Sequence, residues 1–247
     1  MLKQWQLTAE DNSGKTTLFP LSIFDALQGF VEYGETKAPC YLFNGSWYVF
    51  DNHYDALLSK EFEDLFDNNK PVADGIISKW GLTHTAPTET KYNEWLSHKE
   101  GVQVAHEVLM RNIEIADAIL FDESDNHTVY LLHNKDSFSG AGVRDLTNQI
   151  LSSSEYLNMH RVSYDSTDFF ADYYNKIVEK AKKENRQVTI SKDDFIARLK
   201  SSKIYYVAGY LTQFKRNSYS TYAKYLSIEL WKKLKAKGFD FVMVGLE

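Results

Sequence analysis

A chain of 247 residues and 28.6 kDa can bury a full core without cross-links, because area scaling removes roughly 70 to 75% of the unfolded surface at this size. Its 43% hydrophobic and 25% charged residues exclude a disordered chain, and its one cysteine, Cys40, excludes an internal disulfide. No apolar run approaches the roughly 18 residues of a membrane span, and the N-terminus lacks a signal-peptide pattern, so a reducing cytoplasm and no membrane partner are expected. The net charge of -6 is unevenly spread: residues 1–172 carry -15 and residues 173–247 carry +9. A basic C-terminal third on an acidic protein is either a phosphate-binding face or a partner for the acidic part.

Residues 1–85 read as a small α+β lobe. APCYLF and WYVFD flank Asn44-Gly45, a hairpin signal, and the acidic helix YDALLSKEFEDLF follows. A loop is expected around Asn68 to Pro71, then IISKWGL and a threonine-rich connector. Residues 86–247 read as an α/β core. It opens on a helix, TETKYNEWLSHK, with Pro87 at its start and Thr85 or Thr88 as cap. GVQVAHEVLM reads as a first strand. In the next strand Ile113, Ile115, Asp117, Ile119 and Phe121 share one side, so Asp117 is the acid in an apolar row. After the turn at ESDN, Val129, Leu131, His133 and Lys135 share a side of a third strand. A buried lysine and a buried aspartate cost free energy unless they meet each other, a metal or a ligand. The SGAG turn then opens the helix GVRDLTNQILSSSEYL. Beyond it come the helices DFFADYYNKIVEKAKKEN and SKDDFIARLKSS, the strand KIYYVAGYL, the helix STYAKYLSIELWKKLKAKG ending at Gly238, and the strand FDFVMVGL. No internal repeat or low-complexity tract interrupts this order.

Helix, three strands, helix, strand is the order of the PD-(D/E)XK restriction-endonuclease-like core, and the polar residues resemble that superfamily in their placement. The resemblance implies Glu89 as the helix acid and Asp117 as the second-strand acid, together holding Mg2+ or Mn2+ with a main-chain carbonyl of the third strand. Lys135 would orient the attacking water. His133 stands where an acid-x-lysine motif has its acid, and an imidazole suits Mg2+ less well than a carboxylate. Its titration near neutrality suits a general base or a partner for metal-bound water. More specifically, GSWYVFDNHYDAL, then Glu89-x-x-Tyr92-Asn93, IEIADAI, LLHNK and GVRDLTNQILSS resemble a sporadically distributed family of uncharacterised bacterial proteins. These are carried on mobile elements and associated with phage defence. The resemblance spans roughly residues 40–247, implies that the H-x-K of His133 and Lys135 is a family trait, and implies a C-terminal part of a longer protein.

Each residue also has a structural explanation. Asp117 and Lys135 could be a buried ion pair, His133 a hydrogen-bonded core or rim histidine, and Glu89 a first-turn acid complementing the helix dipole. Tyr92 and Asn93 would suit packing and capping, and Arg144 and Gln149 would suit either phosphate or neighbouring loops. Other motifs fail sooner. NSGKTT lacks the first P-loop glycine, whose place is taken by Ala9, and SGAG lacks the third glycine of a dinucleotide fingerprint. Cys40 has no histidine partner in its local pattern, and His84, His98, His106, His127 and His160 show no zinc-ligand spacing.

The expectation is therefore a metal-dependent phosphodiesterase or nuclease of a phage-defence or mobile-element system. Its nucleic-acid-binding residues would be Arg144, Gln149, Lys203, Lys215, Arg216 and Lys224, and its partner DNA or RNA. The alternative is a catalytically inactive module that binds nucleic acid or a protein of such a system; a third is an acidic protein-binding inhibitor that mimics nucleic acid.

Overall fold

The computed structural model describes residues 6–7, 21–22, 29–33, 38–43, 46–49 and 52–247, apart from 87, 123, 126, 163–166, 213 and 215–219. It divides into two compact units, Met1–Leu57 and Leu58–Glu247. In the first unit β1 (Gln6–Leu7) pairs with β2 (Leu21–Ser22), and β3 (Gly29–Tyr33), β4 (Ala38–Phe43) and β5 (Ser46–Val49) form an antiparallel sheet. The expected hairpin is present as β4–β5, with Phe43 opposite Ser46; its turn, Asn44-Gly45, lies outside the described residues.

Helix α1 (Asn52–Trp80) runs on through Pro71, where the sequence suggested a loop. A proline inside a helix removes one amide donor and crowds the preceding turn. The helix continues because both flanks are anchored. Leu58, Phe62 and Leu65 are buried in one core cluster, and Ala73, Ile76 and Trp80 in the other. The same burial places the unit boundary inside α1, whereas the sequence suggested a division near residue 85.

Helix α2 (Glu89–Leu96) starts at Thr88, an extended residue whose side chain accepts the Lys91 amide at 3.3 Å. The main sheet follows with β6 (Val102–Val104), interrupted by a small hairpin of β7 (Leu109–Met110) and β8 (Ile113–Glu114), then β9 (Ala118–Phe121) and β10 (Thr128–Ser137). The expected continuous strands GVQVAHEVLM and Ile113 to Phe121 are each broken. The chain turns at Ala105–Val108, where the Val108 amide bonds the Ala105 carbonyl at 2.9 Å, and bends between β8 and β9. Arg111 and Asn112, at φ 49° and 66°, close the two-residue hairpin, the backbone a type I′ turn needs.

Helices α3 (Gly140–Val162), α4 (Thr167–Lys183) and α5 (Lys192–Ser201) precede β11 (Lys203–Thr212), and α6 (Thr221–Ala236) precedes β12 (Asp240–Gly245). The five strands stand side by side in chain order, β6-β9-β10-β11-β12. β9 is antiparallel to both its neighbours, while β10, β11 and β12 are parallel, which the intervening helices make possible. Apolar runs in β11 and β12 reflect burial on both faces. One face packs under α3 to α6 through residues such as Leu146, Ile150, Tyr173 and Leu230. The other packs under α2 and the second half of α1, through Tyr92, Leu96 and Trp80. The result is an α/β core of helices on both sides of a mixed sheet. Among the described residues, no helix is long and apolar enough to cross a membrane.

Candidate active site

The sequence parity holds across β9 and β10. Ile115, Ile119 and Phe121 share a core cluster with Val129 and Leu131, and His133 stacks on Tyr206 of that cluster at 6.1 Å between ring centres. The Asp117 amide donates to the Leu132 carbonyl at 2.9 Å, which extends the β9–β10 ladder to the acid itself. Asp117 is buried, and both its oxygens are engaged. Oδ1 lies 2.8 Å from His106 Nδ1, and Oδ2 accepts the Asn134 amide at 2.8 Å.

Lys135 does not pair with Asp117. Its Nζ donates to both oxygens of Glu89, each at 3.1 Å. Beside it Asp136 Oδ1 accepts the Glu89 amide at 3.2 Å and Asn134 Nδ2 donates to Asn93 Oδ1 at 2.8 Å. The end of β10 thus grips the first turns of α2 through three consecutive residues. Burial raises the Glu89 carboxyl, and the neighbouring Lys135 ammonium only partly offsets it. Gly209, opposite Asn134 on β11, leaves room for that asparagine, since a Cβ there would stand 3.0 Å from Asn134 Oδ1.

Glu114 joins this site, and so does His106, although its sequence position shows no zinc-ligand spacing. His106 sits in the turn after β6, whose Ala105 amide bonds the Asp117 carbonyl at 2.7 Å. The next residue, Glu107, has φ 58°, a left-handed conformation unfavourable for a non-glycine residue, and its amide donates to Glu114 Oε1. Glu114 Oε1 stands 3.6 Å from His106 Nδ1. Strict strand alternation would send Glu114 to the face opposite Asp117, but the bend between β8 and β9 returns it to the same side. The adjacent polar pair His106-Glu107, inside an otherwise alternating strand, was the legible sign of a turn.

His106, Glu114 and Asp117 offer one imidazole nitrogen and two carboxylate oxygens, all within 4.8 Å of one another, a set able to hold a metal ion. Glu114 is pushed up to about 7, chiefly by burial and then by the Asp117 charge. His106 is raised by its hydrogen bond to Asp117. His133 is fully buried, which lowers its pKa; the Asp117 charge and the Ile115 carbonyl oppose that effect without overcoming it. The hydroxyl of the equally buried Tyr173 has no hydrogen-bond partner among the described residues. A cleft of about 470 Å³ opens between α2 and the turn, and Thr90, Asn93, His98, His106, Lys180 and Arg186 are among its lining residues.

The basic residues expected to bind nucleic acid are not gathered here. Arg144 pairs with Asp145 on the surface and Gln149 is half-buried on α3; neither bonds to a site residue. Lys203 faces Thr128 in the register, at the end of the sheet away from Lys135, and pairs with Asp240 at 2.6 Å. Lys224 donates to Ser59 Oγ at 2.9 Å. Lys215 and Arg216 lie outside the described residues.

No curated protein and no solved structure matches this chain. A family match runs through residues 1–243, reaching the N-terminal segment that the motif resemblance did not include, and by it the chain belongs to DUF6119, a family of unknown function.

Proposed function

We propose that this chain is a metal-dependent phosphodiesterase acting on nucleic acid, in a mobile-element or phage-defence setting. The observation that carries the reading is the meeting of His106, Glu114 and Asp117 with the Lys135–Glu89 pair at one end of β9 and β10. Further support comes from the order of elements: α2, the antiparallel strands β6, β9 and β10, then α3 and, after α4 and α5, β11 parallel to β10, which contains the order expected of the PD-(D/E)XK core with a β7–β8 hairpin and two helices added. The defence setting rests on the motif resemblance.

The metal assignment differs from the one the resemblance implied. Glu89 is occupied by Lys135, so the ligands would be His106, Glu114 and Asp117. A divalent cation held there would stabilise the charge that grows on a phosphodiester oxygen. Lys135, on exchanging Glu89 for a phosphate oxygen, would hold the scissile group beside it. His133 is sealed beneath Asp117 against Tyr206 and serves as a neutral wall of the site in place of a general base.

The test is cleavage of labelled single- and double-stranded DNA and RNA with Mg2+, Mn2+ or a chelator. Metal-dependent cleavage should be lost in Asp117→Asn and Lys135→Ala. Binding without cleavage at any metal concentration would favour the second reading, an inactive binding module, to which the closed Lys135–Glu89 pair also lends weight. Phage plating on cells carrying the wild type or Asp117→Asn tests the defence setting separately.

A further inference from the structure

We infer that His106, Glu114 and Asp117 form a first-row transition-metal site that takes Mn2+ in preference to Mg2+, with Glu89 outside the ligand set. The inference rests on the metal reading above and sharpens it.

The donor set is the first reason. Mg2+ is a hard cation that favours oxygen ligands and keeps much of its water, whereas an imidazole nitrogen adds affinity for transition-metal dications. His106 Nδ1 is the donor closest to Asp117, at 2.8 Å, and stands 3.6 Å from Glu114. The three ligands are also assembled by separate backbone ties. The Ala105 amide on the Asp117 carbonyl places the turn bearing His106, and the Glu107 amide on Glu114 Oε1 locks the hairpin to that turn.

Independent of the ligands, a fully buried polar group beside them, the Tyr173 hydroxyl, lacks a partner among the described residues. That hydroxyl lies within electrostatic reach of both Glu114 and Asp117. Buried polar atoms in native proteins are nearly always satisfied. A hydrated cation on the three ligands would bring a polar partner to this hydroxyl, and outer groups of that kind tune metal sites. Glu89 is excluded because Lys135 holds both its oxygens at 3.1 Å. The cleft at His106 gives an ion a path in.

The experiment uses chelator-stripped full-length protein, titrated with Mn2+ and followed by the paramagnetic resonance of free Mn2+, with Mg2+ as competitor. Saturable binding of Mn2+ is expected, displaced only by about tenfold or more excess of Mg2+. Glu114→Gln and Asp117→Asn should abolish it, and Glu89→Gln should leave it unchanged. His106→Gln, which keeps a polar neighbour for Asp117, should weaken Mn2+ by about 10- to 100-fold while changing Mg2+ little. Equal affinity for the two ions, loss of binding in Glu89→Gln, or no binding of Mn2+ overturns the inference. Selective Mn2+ binding by a protein that cleaves nothing overturns the phosphodiesterase reading and leaves the site standing. Cleavage supported equally by Mg2+, without Mn2+ preference, does the reverse.

Discussion

Lys135 carries an ammonium on a face that is otherwise apolar up to His133, and the pair it forms with Glu89 is only about one-fifth exposed on either side, at 19% and 24%. Removing one partner of such a pair leaves a half-buried charge, which costs more than the pair itself is worth. Lys135→Ala and Glu89→Gln should each destabilise by about 1 to 2 kcal/mol, and the double variant by less than the sum, as urea melts of the three proteins would measure. Additive losses would mean the two side chains act independently. A second acid has a purely structural task. Burial alone would raise Asp122, but bonds from Lys79, Ser124 and the Asp125 amide outweigh it and hold the carboxyl at about 2. Because its folded pKa is depressed, its contribution is complete above the unfolded value near 3.8 and is lost as pH falls through about 2. Asp122→Asn should therefore cost about 1 kcal/mol at pH 6, after allowance for solvent screening at this rim position. The gap between the two proteins should close on acidification; a gap independent of pH would show that shape, not charge, matters there.

At the scale of elements, α1 is the clearest case of tertiary burial overriding local preference. Pro71 is exposed and interior to the helix, so its ring contributes no core packing while it removes a helical hydrogen bond. Pro71→Ala should stabilise the protein by about 1 to 3 kcal/mol, and thermal melts should show the rise. An unchanged or lower midpoint would mean that the proline helps to seat Leu65 and Ala73 in their separate clusters. The entry to α3 has the opposite sign. A Cβ on Gly142 would stand 2.3 Å from the Ser137 carbonyl oxygen, so the SGAG turn needs glycine for close approach rather than for a positive φ.

For the molecule as a whole, the acidic residues 1–172 and the basic residues 173–247 meet in part through specific ion pairs. Lys180 reaches Glu107 at 2.8 Å, Lys232 reaches Glu61 at 2.8 Å, and Lys237 reaches Glu155 at 2.7 Å. Exposed pairs of this kind add little stability, yet they neutralise charge that a phosphate-binding face would require. If the protein binds nucleic acid, changing Lys203 and Lys224 together to Ala should leave the salt dependence of binding unaltered; a loss of about one unit of slope per residue would restore them to the interface. Apart from the β7–β8 hairpin, the succession of helices and strands from residue 88 onward was legible in the sequence, because the elements carry periodicities, and α2, α5 and α6 carry N-caps, that act within a few residues. The face that Ile119 and Phe121 share with Val129, Leu131 and His133 was legible for the same reason, since side chains alternate along a strand. What the tertiary structure alone decided was the partners. Glu89 rather than Asp117 neutralises Lys135, and a turn and a bend bring His106 and Glu114 to Asp117. The break after β6 is set by the bond from the Ala105 amide to the Asp117 carbonyl, twelve residues on, and no local pattern encodes where those two segments will meet.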